Sequence, residues 1–247
     1  MAGTPPERDL GPAAVPIWEL PEAGERGPKP RYSRAMIAAA AVRIADAGGL
    51  AAVSMRRVAA GLGMGTMSLY NYVPAKDHLI QMMLDQASGE YVYPQSPPPD
   101  IRAAIVDLAG QGRQVARRHP WVAELMFRPP PMGPSAFRYL DYFLGLLSGS
   151  PLGGAAKMEI ISLVNGFAIM YGTMESVLAG GGVSAEQHTA AQVAALARAA
   201  GSGRYPHLAA VLASGEAPPS PDEQFRSVVL RLVDGLLAAG PAGQDVS

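Results

Sequence analysis

Apolar residues recur at the three- and four-residue spacing of amphipathic helices along most of the chain after residue 30. Three short helical segments come first, and longer ones follow between residues 76 and 239. The two broadest apolar stripes lie on segments 155 to 178 and 222 to 239. No segment alternates apolar and polar residues over the length of a strand. The pattern predicts an all-α protein with a small N-terminal helical unit and a larger helical domain behind it.

The three short helices have recognisable start and stop residues. Ser33 and Ser54 are suited to cap the first two helices, because a serine hydroxyl accepts from the unpaired amides of a first turn. Gly63 ends the second helix, and a third is predicted from 66 to 73, where Pro74 closes it. Two helices joined by a glycine turn have the shape of a helix-turn-helix, a module that reads DNA.

The net charge of -1 conceals a strong asymmetry along the chain. Residues 26 to 76 carry eight lysines and arginines and a single acid, Asp46, whereas the rest of the chain is acidic. This distribution indicates a polyanionic partner at one end of the protein. A basic face that is merely solvated is the alternative that charge alone leaves open.

The second predicted helix contains a local conflict, because Arg56 and Arg57 occupy its first turn. The positive end of the helix dipole disfavours cations there by about 0.3 to 1 kcal/mol each. A phosphate backbone resolves the conflict, since it meets both the arginines and the free amides. On the third helix, hydroxyls and tyrosines suit phosphates, Asn71 can pair with an adenine edge, and Met67 can touch a thymine methyl. Alone, each would be an ordinary surface residue.

Residues 1 to 30 contain seven prolines and few apolar residues, which predicts a disordered or extended arm. Local docking of Trp18 is the alternative. Because the arm abuts the basic segment, we expect Arg34 to reach a phosphate. The predicted division is then a DNA-binding domain at residues 31 to 76 and a helical domain at residues 77 to 240.

The basic segment carries an ordered set of motifs, which are VSMRRVA at 53 to 59, LGM at 62 to 64, SLYNYV at 68 to 73 and KDHL at 76 to 79. This set resembles the TetR family of transcriptional repressors. The resemblance implies phosphate contacts from Ser54, Ser68, Tyr70, Tyr72 and Lys76, to which the dipole argument adds Arg57. It implies base-facing positions at Arg56, Thr66, Met67 and Asn71. Met55 departs from the hydroxyl often found at its position, and Gly65 is unusually small.

The resemblance extends more weakly to residues 77 to 240, which look like the ligand-binding and dimerisation domain of the tetracycline-repressor type. In that family the long penultimate helix and the last helix form a four-helix interface with their copies. The predicted interface residues are Ile160, Val164, Ala168, Phe225, Val229, Leu232 and Leu236. A homodimer also fits DNA geometry, because two reading modules about 34 Å apart engage successive major grooves of a palindrome.

An effector pocket is predicted among soft apolar and aromatic side chains with a few polar ones. Its candidates are Met83, Tyr91, Gln111, Trp121, Met126, Phe127, Phe137, Asn165, Met170, Tyr171, Met174 and Glu175. Ordinary core packing is the alternative for each methionine or aromatic residue. Asn165 and Glu175 stand out because they lie on an otherwise apolar helix, where a polar group needs a partner in a ligand or in another helix.

The chain has no cysteine, so disulfides and thiolate metal sites are excluded, and its four histidines are scattered. No metal and no other cofactor is predicted. No apolar run approaches the about 20 residues of a membrane span, and the N-terminus lacks the order of a signal peptide. We therefore expect a cytoplasmic protein without a membrane partner.

The residues bear on three possible functions, which are an enzyme, an adaptor and a DNA-binding repressor. For an all-helical enzyme, the sequence offers no recognisable nucleophile, phosphate loop or metal-ligand spacing. For an adaptor that binds another protein, the basic segment would have to face that protein. The prediction is a homodimeric DNA-binding repressor whose affinity for a palindromic operator is relieved by a small-molecule effector.

Overall fold

A computed structural model describes residues 15–21, 31–96, 98–127, 131–180, 182–214 and 219–238. In these ranges the regular structure is helical and no strand occurs, which confirms the predicted all-α fold. The helices of the described ranges are α1 (Arg34–Gly48), α2 (Met55–Gly61), α3 (Thr66–Tyr70), α4 (Lys76–Ser88), α5 (Ile101–Arg118), α6 (Val122–Leu125), α7 (Pro134–Leu146), α8 (Gly154–Gly180), α9 (Gly182–Gly201), α10 (Pro206–Ala213) and α11 (Pro221–Ala238).

We call α1 to α3 the head and α5 to α11 the body, and α4 connects them. The core of the head is formed by fully buried Ile37 on α1, Val58 on α2, Leu69 on α3 and Leu79 on α4. Four alanines of α1 are buried beside these residues. Such small side chains let the helices approach closely, and the packing fixes α2 and α3 relative to each other.

The local signals predicted for the head are present. The hydroxyls of Ser33 and Ser54 each accept a hydrogen bond at 3.2 Å from the backbone amide three residues further along. Gly63, between α2 and α3, has a φ of 66°, in the left-handed region that favours glycine. The helix-turn-helix geometry therefore follows from capping and turn residues that act locally.

Residues 15 to 21 form a strap that lies across α1 and α4. Ile17 is fully buried within the core of the head, and its amide donates to Gln81 Oε1 at 2.9 Å. His78 Nε2 lies 3.0 Å from the carbonyl oxygen of Val15. This stretch corrects the prediction of a disordered arm, and residues 1–14 and 22–30 of that arm lie outside the described residues.

Arg34 holds the strap in place. Its guanidinium donates to the carbonyls of Ile17 and Leu20 at 2.9 Å, of Pro21 at 2.7 Å and of Tyr72 at 3.2 Å. These bonds use four of the five N–H groups of an arginine. The predicted phosphate contact of Arg34 is therefore corrected, because its guanidinium group already donates to backbone carbonyls of the protein.

The body is built around α5 and α8, with α7 and α11 packed against them. Its core includes Ile105 of α5, Phe143 of α7, Val164 of α8 and Val229 of α11, all fully buried. The α9 and α10 helices pack on each other and expose several apolar residues, among them Val193 and Val211.

By length and composition, α8 is apolar enough to cross a membrane, with a mean hydropathy of 1.3 in its most apolar window. This corrects the expectation that the chain has no such segment. One third of that window is buried inside the protein. Its buried face, with Ile160, Val164 and Ala168, packs in the core of the body.

The helices α5 and α8 cross closely at Gly172. A Cβ at this position would lie 2.3 Å from the carbonyl oxygen of Arg113 and 3.0 Å from Cβ of Ala116. Beside the crossing, buried Arg113 donates to both carboxylate oxygens of Glu175, at 2.7 and 2.5 Å. It also lies 2.8 Å from a carboxylate oxygen of Asp222, so that one guanidinium joins α5, α8 and α11.

We expect Gly172→Ala to lower the free energy of unfolding by about 1–3 kcal/mol, because its methyl group would overlap the backbone of α5. The matched control is Gly110→Ala on α5, where a Cβ meets nothing within 4 Å. That change should raise stability by roughly 0.5–1 kcal/mol through helix propensity. Denaturant unfolding measures both, and equal effects would contradict the close crossing.

Candidate nucleic-acid interface and effector cavity

The outer surface of α2 and α3 exposes side chains of the types that contact DNA. Arg56, Arg57, Ser68, Asn71 and Lys76 are exposed. Met67 and Tyr70 are 78% and 37% exposed, respectively, whereas Ser54, Thr66 and Tyr72 are half-buried. Most of the predicted DNA contacts therefore lie on one accessible surface of the head.

The electrostatics of this surface are uniform, because no acid occurs between residues 47 and 76. Arg56 and Arg57 stand in the first turn of α2, which has no acidic residue to offset them. Tyr72 is less available than predicted, since its ring packs edge-on against Tyr32 with centroids 6.5 Å apart. The arrangement can accept a polyanion across the whole face.

A partly open cavity of about 260 Å³ lies between α4, α5, α6, α7 and α8. Leu84 and Ala87 of α4, Val115 of α5 and Ile161 of α8 form part of its apolar wall. Two larger hollows, of about 710 and 1140 Å³, are open clefts on the surface. A concave, mainly apolar space with a few polar groups is the form that small-molecule sites take.

Two tyrosines, one amide and Ser88 supply polar groups of the cavity. Tyr91 and Tyr139 pack with ring centroids 4.5 Å apart, and the Tyr139 hydroxyl donates to Asn165 Oδ1 at 2.5 Å. Burial raises the pKa of Tyr91, and the neighbouring Tyr93 adds to this rise. Burial also raises the pKa of Tyr139 well above its usual value, so both phenols stay neutral near pH 7. Within the described part of the chain, the NH₂ group of Asn165 has no hydrogen-bond partner, which makes it available to a ligand.

The structure places only some of the predicted pocket residues at this cavity. Tyr91 and Asn165 line it, together with Tyr139 and Met158. Met126 lies beside α8, with its Cε 3.7 Å from the position of a Cβ on Gly166. Tyr139 was missed because its spacing on α7 is that of an ordinary core aromatic residue.

The other predicted pocket residues are corrected. Met83 and Trp121 are buried in the core of the head, and Gln111 bonds to the backbone of Val92 beside an open cleft. Glu175 is paired with Arg113, and Tyr171 packs on Phe225. The remaining four are exposed on the surface of the chain: Phe127, Phe137, Met170 and Met174. Sequence spacing does not distinguish these environments. An apolar side chain has the same spacing in a core, in a pocket or on an interaction surface, and a buried polar side chain can find its partner in a ligand or in another helix.

Most of the predicted dimer residues are also corrected. Ile160, Val164, Ala168, Phe225 and Val229 are buried inside their own chain. Leu232 and Leu236 are partly buried against the same core. The five buried residues hold α8 and α11 in the body and offer no exposed surface to a second copy, whereas the interface role of Leu232 and Leu236 stays a prediction.

A second apolar stripe runs along the outer face of α8. Its exposed members are Leu163, Met170, Met174, Val177 and Leu178, which are 42 to 64% exposed. They recur at spacings of three, four and seven residues, as one helix face requires. An exposed apolar stripe of this length indicates an interaction surface.

A polar corner joins the head to the body. His119, at the end of α5, places Nδ1 2.7 Å from Asp46 Oδ1 and Nε2 2.8 Å from Glu90 Oε1. Trp121 Nε1 donates to the same oxygen of Asp46 at 2.8 Å, and Arg118 donates to Glu90. Burial acts to raise the pKa of Glu90, but the hydrogen bonds from His119 and Arg118 outweigh it and hold the pKa below its usual value.

Comparison with known proteins agrees with this architecture. Residues 37–83 match the bacterial regulatory proteins of the tetR family, and residues 93–239 match the tetracyclin repressor-like C-terminal domain. The chain is 35% identical over 232 residues to the HTH-type transcriptional repressor DrrR1 of Streptomyces coeruleorubidus, covering 89% of this chain and 83% of that protein. It is 31% identical over 161 residues to an HTH-type transcriptional regulator of Saccharopolyspora erythraea, covering 65% of this chain and 68% of that protein.

A solved structure shares the fold. The TetR family protein ActR of Streptomyces coelicolor, in complex with actinorhodin, superposes with a TM-score of 0.70 and 23% identity over 87% of this chain and 99% of that chain. The head and these matches define a DNA-binding transcriptional regulator. The chain belongs to the TetR family.

Proposed function

We propose that this repressor acts in the cytoplasm as a homodimer on a palindromic operator, and that a small apolar effector with an aromatic character releases it. The observation that carries the proposal is that the cavity is lined in part by the last turns of α4, the helix that connects the head to the body. An effector that fits the cavity better when α4 is displaced favours the displaced state, and this changes the separation of the two heads.

The head is proposed to divide its DNA contacts between two roles. Ser54, Arg57, Ser68, Tyr70, Tyr72 and Lys76 are the phosphate anchors, and Arg56, Thr66, Met67 and Asn71 face the bases. Exposure supports Arg56, Met67 and Asn71 most directly. Gly65, which precedes α3, has no side chain, so base contacts at the start of that helix are few.

Selecting duplexes from a random pool with the full-length protein identifies the operator and tests this division. We expect Lys76→Ala to weaken binding to all sequences about equally and to reduce the slope of log affinity against log salt by about one. Asn71→Ala should instead relax the preference at one base pair, by about 1–3 kcal/mol.

The control for both variants is Arg204→Ala, which removes an exposed arginine from the body. It should leave affinity and salt dependence unchanged. Failure of the wild-type protein to enrich any palindrome at low salt would refute the proposed operator binding.

The chemistry of the cavity supports an effector with a flat apolar body and a hydrogen-bonding oxygen. The rings of Tyr91 and Tyr139 offer an aromatic surface, and aliphatic side chains cover the other walls. The free NH₂ group of Asn165 can donate to a carbonyl or phenol oxygen. Solved complexes of ActR with actinorhodin and with (S)-DNPA support small-molecule binding in this fold.

A thermal-shift screen of aromatic ketones and phenols tests the effector class. A compound that binds the cavity should raise the Tm and release the selected duplex. Asn165→Leu should weaken that compound about tenfold, as the loss of one buried hydrogen bond implies. Gln111→Leu is the control, because Gln111 lies beside an open cleft, and its response should match the wild type. The reverse pattern would place the site in the cleft.

The outer stripe of α8 is proposed as the dimer surface, with the same stripe of a second copy as its occupant. The stripe is continuous over four turns. The resemblance to the family also implies a dimer interface that includes this long helix together with the last helix. Burying apolar surface of this kind between two copies would stabilise the dimer by about 25 cal/mol per Å² of apolar area removed from water. Isologous packing places the same face of each copy in the interface.

Met174→Asp should convert the dimer to a monomer, because a carboxylate would be buried against the apolar stripe of the partner. Sedimentation equilibrium measures the mass, and affinity for the selected palindrome should fall about a hundredfold as bivalent binding is lost. Val92→Asp is the control, since Val92 is 73% exposed and belongs to the segment between α4 and α5. A dimer that survives the Met174 change, or wild-type protein that partitions into lipid vesicles, would contradict this assignment.

A further inference from the structure

The polar corner at His119 connects three parts of the chain that are far apart in sequence. Asp46 belongs to the last turns of α1 in the head, Glu90 follows the end of α4, and His119 follows the end of α5. The imidazole ring is buried, with 8% of its side chain exposed, whereas the two carboxylates are about one third exposed. One buried ring therefore bridges the head, the connecting helix and the body.

Both ring nitrogens of His119 face carboxylate oxygens, at 2.7 and 2.8 Å. A neutral imidazole carries one N–H, so it can donate to only one of the two carboxylates. Both contacts are hydrogen bonds when the ring carries two protons. The other groups that face this corner are the guanidinium of Arg118, which bonds to Glu90, and the indole N–H of Trp121, which bonds to Asp46. Neither of them can replace the second N–H of the ring.

The corner lies beside the wall of the effector cavity. Val122, the first residue of α6, lines the cavity and also packs in the core of the head. Ser88, the last residue of α4, lines the cavity two positions before Glu90. Both walls of the cavity therefore lie within two residues, along the chain, of groups that hold His119.

We propose that His119 positions the head on the body by bridging Asp46 and Glu90 through both ring nitrogens, so that operator binding weakens when the ring keeps a single N–H. The proposal rests on the proposed function, because its effect is read in the simultaneous binding of two half-sites. A head that is held loosely must be ordered on the operator, and this ordering lowers affinity. Binding to one half-site needs no fixed separation and is unaffected.

The test compares affinity for the selected palindrome with affinity for the same duplex carrying one scrambled half-site. The ratio of the two is measured at about pH 6 and about pH 8.5, on either side of the usual titration of histidine. For the wild type we expect the ratio to fall about tenfold with rising pH, the factor that loss of one charge-assisted hydrogen bond corresponds to. The histidine control is His207→Gln on α10, an exposed residue, which should behave as the wild type does.

Two variants at the corner give opposite expectations. The glutamine of His119→Gln cannot carry a positive charge or donate to both carboxylates from two ring nitrogens. We therefore expect the ratio of palindrome to single-half-site affinity to be as low at both pH values as it is for the wild type at about pH 8.5. Glu90→Gln should give the high ratio at both pH values, because its amide can donate to the bare nitrogen of a neutral ring while the other nitrogen donates to Asp46. A purely structural role would lower the ratio in both variants and leave its pH dependence in place.

Several results would overturn the proposal. These are a wild-type ratio that does not change with pH, a His119→Gln ratio that changes as the wild type does, and a Glu90→Gln ratio that stays low at high pH. Hydrogen exchange at the last turn of α1 reads the same corner without DNA, and His119→Gln should accelerate it while His207→Gln should not. A protein that binds no palindrome but shows this exchange pattern would count against operator binding and not against the bridge.

Discussion

The close crossing of α5 and α8 at Gly172 is the constraint on which the body depends. Gly172 has no side chain, so the backbones of α5 and α8 approach closely there. Arg113 lies at this crossing on α5 and is buried. A buried charge is tolerated only when it is paired, and Glu175 and Asp222 supply the pairing from α8 and α11. Its contacts with the rings of Tyr171 and Phe225, at 5.1 and 4.8 Å, complete the enclosure. The crossing and the ion pairs beside it thus hold three helices together.

Two of these helices, α5 and α8, also border the cavity next to α4. The cavity is bounded on one side by α5 and α8, which are held together, and on the other by α4 and α6, which carry the head. A packed interior responds to an inserted group by moving its less constrained wall. The less constrained wall is the one tied to the head by the strap at Arg34 and by the corner at His119. The cavity proposed for the effector therefore borders the helix that connects to the head.

Much of the head could be predicted because its determinants are local. Ser33, Ser54 and Gly63 act on amides and dihedral angles within a few residues, and the basic segment has no acid after Asp46. The prediction for Arg34 was wrong because its partners come from residues 17 to 21. A proline-rich stretch with few apolar residues gives no local sign that one of them, Ile17, completes the core of the head.

The sequence by itself determined the helical class, the order of the helices and the chemistry of the DNA-reading surface, since these follow from spacing, capping and charge along the chain. Only the tertiary structure decided which face of α8 is core and which is exposed. Both faces are apolar, and periodicity cannot assign them. It also decided that Glu175 pairs with Arg113, while Tyr139 and Asn165 share the cavity. The physical reason is that burial and pairing depend on which helices meet, and that is set by close packing between residues distant in sequence.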